Sequence, residues 1–189
     1  AADNHVDAGA PVASARIPVL VFDARPSWQS TFVRRALEDD PRFTVWYRGR
    51  VAPSLTAGTE NGRLDAATLD RAPLVVAGGL DALTDGDVSL LDRYVRRRGG
   101  TLIVLPEQRP SGAAARLFDG QWSERLSATP QAIGPLRASE LLRQAAPSSA
   151  ATVVAAHDST PVIVSRPAGS GRIIVFGAMD AWRYRDADE

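Results

Sequence analysis

Three short runs of uninterrupted apolar residues constrain this chain most: Ile17 to Phe22, Pro73 to Ala77 and Thr101 to Leu105. A strand with one face in water alternates polar and apolar positions. These runs do not alternate, which is the mark of strands covered on both faces. Between them lie segments of helical period. Trp28, Phe32, Val33, Ala36 and Leu37 form one stripe, with Arg34, Arg35, Glu38 and Asp39 mostly off it. Pro26 suits the first turn of that helix and Pro41 stops it. Phe43 to Tyr47 read as a second strand, 48–63 as a loop and Leu64 to Leu69 as a short helix. A longer helix begins at Thr84, where Thr84 and Asp87 have capping-box spacing. Val88, Leu91, Tyr94 and Val95 give its apolar stripe, and Arg96, Arg97 and Arg98 its last turn, where cations favour the helix dipole. Gly99 and Gly100 end it.

Strand–helix alternation of this kind predicts parallel strands joined by right-handed crossovers, here 17–22, 43–47, 73–77 and 101–105. Residues 106–150 hold five prolines, with short helices expected at 112–118 and 138–145. Strands return at Thr152 to Ala156, Val162 to Ser165 and Arg172 to Phe176. The turn Pro167 to Gly171 makes the last two a hairpin, and Asp180 is placed to cap a final helix. Residues 1–16 are small, polar and aperiodic and read as a flexible leader; 17–189 read as a single domain.

Composition removes whole classes of chemistry. There is no cysteine, so thiolate nucleophiles, disulfides and zinc-thiolate sites are absent together. All 22 basic residues are arginine, which excludes a Schiff-base lysine. Basic and acidic residues balance at a formal net charge of zero, so no global field draws nucleic acid or an anionic bilayer. No apolar run approaches the ~18 residues a membrane span needs, and no direct membrane insertion is expected. The chain does not open on methionine and reads as a piece of a longer polypeptide.

The stretch VLVFDARPSWQSTFVRRALEDDPRFTV, with LVVAGGLDALTDGDVSLLDRYVRRRGGTLIVLP and GSGRIIVFGAMDAWRYRD, resembles class I glutamine amidotransferase-like domains of bacterial membrane-anchored proteins. Those proteins often carry von Willebrand A-type modules as well. Arg25 to Trp28 is the most specific element of the resemblance. It implies an α/β, flavodoxin-like three-layer sandwich, mainly parallel, with an antiparallel hairpin at the C-terminal edge. It also implies other domains or subunits of a membrane-anchored assembly as partners, and an extracytoplasmic position tethered by segments outside this stretch. In active members a cysteine follows the strand that here is Thr101 to Leu105, and a backbone amide near Gly78 and Gly79 helps hold the oxyanion. Here Pro106 and Glu107 follow that strand, so the resemblance extends to the scaffold and not to the reaction.

In open α/β sheets ligands bind beyond the carboxyl ends of the strands. That rule nominates loops 23–28, 78–83, 106–110 and 178–183. The expected cleft is lined by Asp23, Arg25, Trp28, Gly78, Gly79, Glu107, Asp180 and Trp182, with Arg25 paired to Glu107 or Asp180 and the two tryptophans as flat walls. No cofactor is expected: Pro26 and Trp28 block a flavodoxin-type phosphate loop. Asp23, Asp81, Glu107 and Asp180 have no local ligand spacing for a hard cation. His157, without a nucleophile beside it, reads as a loop histidine. The functional expectation is a non-catalytic ligand- or protein-binding domain. The alternatives are a hydrolase or transferase using carboxylates of the same cleft, and a structural spacer.

Overall fold

The protein is described from a computed structural model, in which residues 15–52, 55–58 and 62–184 are defined. Residues 1–14, most of the expected leader, lie outside the described residues. Strand β1 (Ile17–Asp23) runs parallel to β2 (Phe43–Ala52) on one side and to β4 (Leu74–Gly78) on the other. β5 (Thr101–Val104) continues beside β4, and β10 (Gly171–Phe176) beside β5, both parallel. The order β2-β1-β4-β5-β10 is thus a five-stranded parallel core of flavodoxin type. Val19 to Phe22 are 0% exposed, as the unbroken apolar run requires.

Helices cover both faces. α1 (Trp28–Asp39) lays Val33 and Leu37 against Val19, Val21, Val76 and Leu105. α2 (Ala66–Arg71) and α3 (Asp85–Arg93) lie on the opposite side, where Leu69, Val88 and Leu91 join Leu20, Phe22, Val75 and Leu102. α1 starts at Trp28, two residues after Pro26: Ser27 is its N-cap, and Ser27 and Ser30 close a capping box. At α3 the box of Thr84 and Asp87 is present. The helix then loosens into a π turn over Tyr94–Arg98, and Gly99 ends it at φ 81°.

Two expectations are corrected. The loop expected over 48–63 is partly strand: β2 runs on to Ala52, and β3 (Leu55–Gly58) pairs antiparallel on its outer edge. The helix expected at 138–145 is β7 (Leu136–Gln144), which forms a two-stranded antiparallel sheet with β6 (Trp122–Ile133). Ala138, Leu141 and Leu142 are all 0% exposed, and their three- and four-residue spacing mimics a helix stripe. Pro130 sits where the register slips between Leu126 and Gln131, and a ladder tolerates proline there. The short helix expected at 112–118 is present as a 3-10 helix over Gly112–Leu117. The terminal hairpin of β9 (Thr160–Ala168) and β10 forms as expected. β8 (Thr152–His157) adds antiparallel to β9 through a tight turn with positive φ at Asp158 and Ser159.

Asp180 departs most from its expected role. It does not cap a helix with its side chain, and only a 3-10 turn, Ala181–Arg183, follows. Its carboxylate is 1% exposed, and Oδ1 accepts the backbone N–H groups of Ser139 (2.8 Å) and Glu140 (2.9 Å). The same stretch bonds β7 through Leu142 N–H to Gly177 C=O and Met179 N–H to Glu140 C=O. Asp180 therefore fastens the β6–β7 hairpin to the sheet. Asp180→Ala orphans two buried donors and is expected to cost about 2–3 kcal/mol. Hydrogen exchange at Ser139 and Glu140 should accelerate more than exchange in β1, and equal protection at all three would refute the assignment.

Candidate functional site

The chain leaves β1 in one direction, to β2, and returns on the other side of β1 as β4. The crevice of such a reversal opens beyond the carboxyl ends of β1 and β4, where Asp23 and Gly78 stand in register. Gly78 lacks a side chain for a steric reason: a Cβ there would run into Asp23 Oδ1 and the Ser30 Cβ. Gly79 has φ 59°, and a Cβ there would strike the backbone of Arg25. The two glycines thus let the loop after β1 lie directly on the end of β4.

That close approach aims the Arg25 side chain across the crevice. Its Nη2 reaches Asp81 Oδ1 at 3.0 Å and its Nε contacts both Asp81 oxygens at 3.3 Å. Nη2 also pairs with Glu107 Oε2. The pairing with Glu107 is one of the two expected; Asp180 is replaced by Asp81, because Asp180 is turned inward toward β7. The guanidinium holds the Asp81 carboxyl below its ordinary range, chiefly by hydrogen bonding. The Arg25 side chain is 48% exposed, so this is a solvated triad and not a buried ion pair. Arg25→Ala is accordingly expected to lower stability by about 1 kcal/mol or less. A loss of several kcal/mol in urea denaturation would show that the triad is shielded from water.

Asp23 lies beneath the triad and is 1% exposed. Its Oδ2 accepts the Ser30 hydroxyl at 2.9 Å. Oδ1 makes no hydrogen bond of normal geometry, although the Tyr47 hydroxyl is near enough to favour the ionised form. Burial outweighs these hydrogen bonds and pushes the carboxyl up to about 6, with Glu107 adding in the same direction. Burial, and then the Asp23 charge, push the Tyr47 phenol up to about 12. Asp23 is not a side chain that a ligand can touch in this arrangement.

Trp28 and Trp182 come together instead of walling opposite sides. Their rings stack at 6.1 Å, and Trp182 stacks on Phe32 at 5.3 Å, so the tryptophan after Asp180 clasps the N-terminal turns of α1. Trp28 remains 66% exposed. The open space at this edge is a groove of about 230 Å³ under the β6–β7 hairpin, lined by Glu107, Glu124, Arg125, Leu126, Glu140 and Met179. Of the residues expected at the cleft only Glu107 lines it, because the roof is the β6–β7 hairpin, whose β7 carries a helix-like spacing in sequence. Among the described residues no three His, Asp or Glu side chains are placed to hold a metal ion. His157 is the last residue of β8 and buried, not the loop histidine expected; its Nε2 lies 3.0 Å from Asp158, at the far edge of the sheet from Gly79.

No protein-family model and no curated protein matches the chain in sequence. Solved structures resemble it in fold. An exo-β-1,4-mannosidase from Opitutaceae bacterium strain TAV5 superposes at TM-score 0.56 and 16% identity over 92% of this chain, which spans only 34% of that enzyme. A cytoplasmic protein of Salmonella typhimurium LT2 superposes at TM-score 0.55 and 11% identity, over 86% of this chain and 88% of its own. A putative GMP synthase component from Thermoplasma acidophilum is looser, at TM-score 0.49 and 12% identity over 84% of this chain and 82% of its own. What the first two likenesses share with the chain is its α/β fold.

Proposed function

We propose that this is a non-catalytic binding domain of a larger, membrane-anchored bacterial protein, and that its C-terminal sheet edge contacts a ligand or a neighbouring domain through Arg25, Glu107 and the exposed face of Trp28. One observation carries this reading. The position after β5, where an amidotransferase keeps its nucleophile, holds Pro106 and Glu107, and Glu107 is engaged by Arg25. A carboxylate tied to a guanidinium is a poor nucleophile. The membrane-anchored, extracytoplasmic setting rests on the resemblance of the Arg25 to Trp28 stretch to such proteins. That a similar fold makes up about a third of a longer enzyme supports use as one module among several.

The raised pKa of Asp23 beside Glu107 favours a second reading, a hydrolase using two carboxylates in different protonation states. The near-complete burial of Asp23 weighs against it. The two readings part on activity. The purified chain should release no ammonia from glutamine above a heat-treated control and should turn over no substrate in a broad esterase, amidase and glycosidase screen. Turnover abolished by Glu107→Gln would establish the enzyme reading instead.

A further inference from the structure

The balanced charge of the chain hides an uneven distribution. α3 and its π turn carry Arg93, Arg96, Arg97 and Arg98 on or beside their exposed face. A groove lies on each side of this ridge. One, of about 320 Å³, runs between α2 and α3 over an apolar floor of Leu69, Leu90 and Tyr94. The other, of about 340 Å³, runs between α3 and the 3-10 coil that bears Arg116. Arg93 and Arg97 line both grooves.

Their neighbours are neutralised. Arg96 pairs with Asp92 at 2.7 Å, Arg98 with Asp70 at 3.3 Å and Arg116 with Asp85 at 3.3 Å. Among the described residues the side chains of Arg93 and Arg97 have no carboxylate partner. They sit four residues apart on the crest of the ridge, with an apolar trough beside them. Favourable placement at a helix C-terminus accounts for cations in the last turn. It covers Arg93, the last residue of α3, as well as Arg97, but it does not account for the apolar trough beside them.

We infer that this ridge is a docking surface for an acidic, amphipathic helix of a partner protein, whose carboxylates pair with Arg93 and Arg97 while its apolar residues enter the trough over Leu69, Leu90 and Tyr94. Guanidinium forks match carboxylates two bonds at a time. A ridge between two grooves is the shape onto which a second helix packs. A bilayer is a poorer match, because it needs apolar side chains that project from the surface, whereas Leu69 and Tyr94 are buried at the floor of a concave groove that only a protruding side chain can enter. Nucleic acid is a poorer match too, since no exposed aromatic is interleaved with the arginines. The surface is separate from the C-terminal edge, so either can fail without the other.

The test is fluorescence anisotropy with a labelled synthetic helical peptide that has leucines at three- and four-residue spacing flanked by glutamates. It is titrated with the chain and with the R93E/R97E variant. Saturable binding is expected, weakening about tenfold or more in the variant and in a glutamine-for-glutamate peptide, and falling with added salt. Both arginines are exposed and outside any ion pair among the described residues, so the melting temperature should hold. R93Q/R97Q provides the same comparison if charge reversal disturbs the fold. Equal binding by wild type and variants overturns the proposal, as does no saturable binding. It is equally overturned if phosphatidylglycerol vesicles bind where the peptide does not, or if the arginines prove to mediate self-association instead.

Discussion

Asp23→Asn is expected to stabilise the protein by about 3 kcal/mol at pH 7.5 and to change little at pH 4. The side chain is all but fully buried at the end of β1, with the Ser30 hydroxyl as donor, the Tyr47 hydroxyl nearby and no cation in contact, so its charged form is disfavoured by lost hydration. Its pKa rises from 3.8 to about 6. Since the folded value exceeds the unfolded one, the folded state holds the extra proton between them. The contribution is therefore fully present below about pH 4 and is lost as pH rises to and through about 6. Asparagine keeps the acceptor for Ser30 and never ionises. Urea denaturation of both proteins at several pH values measures the difference, which should grow from pH 4 to 6 and then level off. A constant difference across that range would mean that Asp23 is already ionised at pH 4. Acid loss of other carboxylates, such as the low-pKa Asp65 and Asp81, affects both proteins alike and cancels in the comparison.

Asp87→Ala is expected to destabilise by about 3–5 kcal/mol, because it leaves a charge buried without its partner. Asp87 Oδ2 accepts the Thr84 N–H at 2.9 Å, the Thr84 hydroxyl at 2.6 Å and Arg50 Nη2 at 2.6 Å. The Arg50 side chain is only 20% exposed and its guanidinium lies 5.2 Å from the Phe22 ring centre. Burial pushes the Asp87 carboxyl up, but the Thr84 and Arg50 hydrogen bonds together hold it below its ordinary range. One carboxylate thus caps α3 and ties β2 to it. Asp87→Asn keeps the cap and loses the charge, so it should fall between wild type and alanine. R50M/D87A removes both charges and should recover much of the loss. Should Asp87→Ala and the double variant unfold at the same urea concentration, the ion pair would carry no weight and the cap alone would matter.

Local pattern was sufficient wherever partners lie close in the chain or burial is complete. The apolar runs at Ile17, Pro73 and Thr101 specify doubly covered strands whatever surrounds them, and helical segments between them leave only parallel pairing. The Thr84–Asp87 box spans a single turn, so its spacing is its geometry. The lack of cysteine excludes thiol chemistry at any fold. Arg25 was legible as a crevice residue because it follows a central strand directly. Tertiary structure alone decided the rest. Leu136 to Gln144 carry a stripe that suits a helix or a doubly buried strand, and pairing with β6 together with the Asp180 carboxylate, some forty residues on, made it a strand. Asp180 and Asp23 are both aspartates beyond strand ends, and nothing in their neighbours in sequence says that one anchors a hairpin while the other is sealed beneath a loop. Arg50 finds Asp87 across 37 positions. Charge pairing and burial at such separations depend on where whole elements come to rest. Packing sets that, and sequence period does not record it.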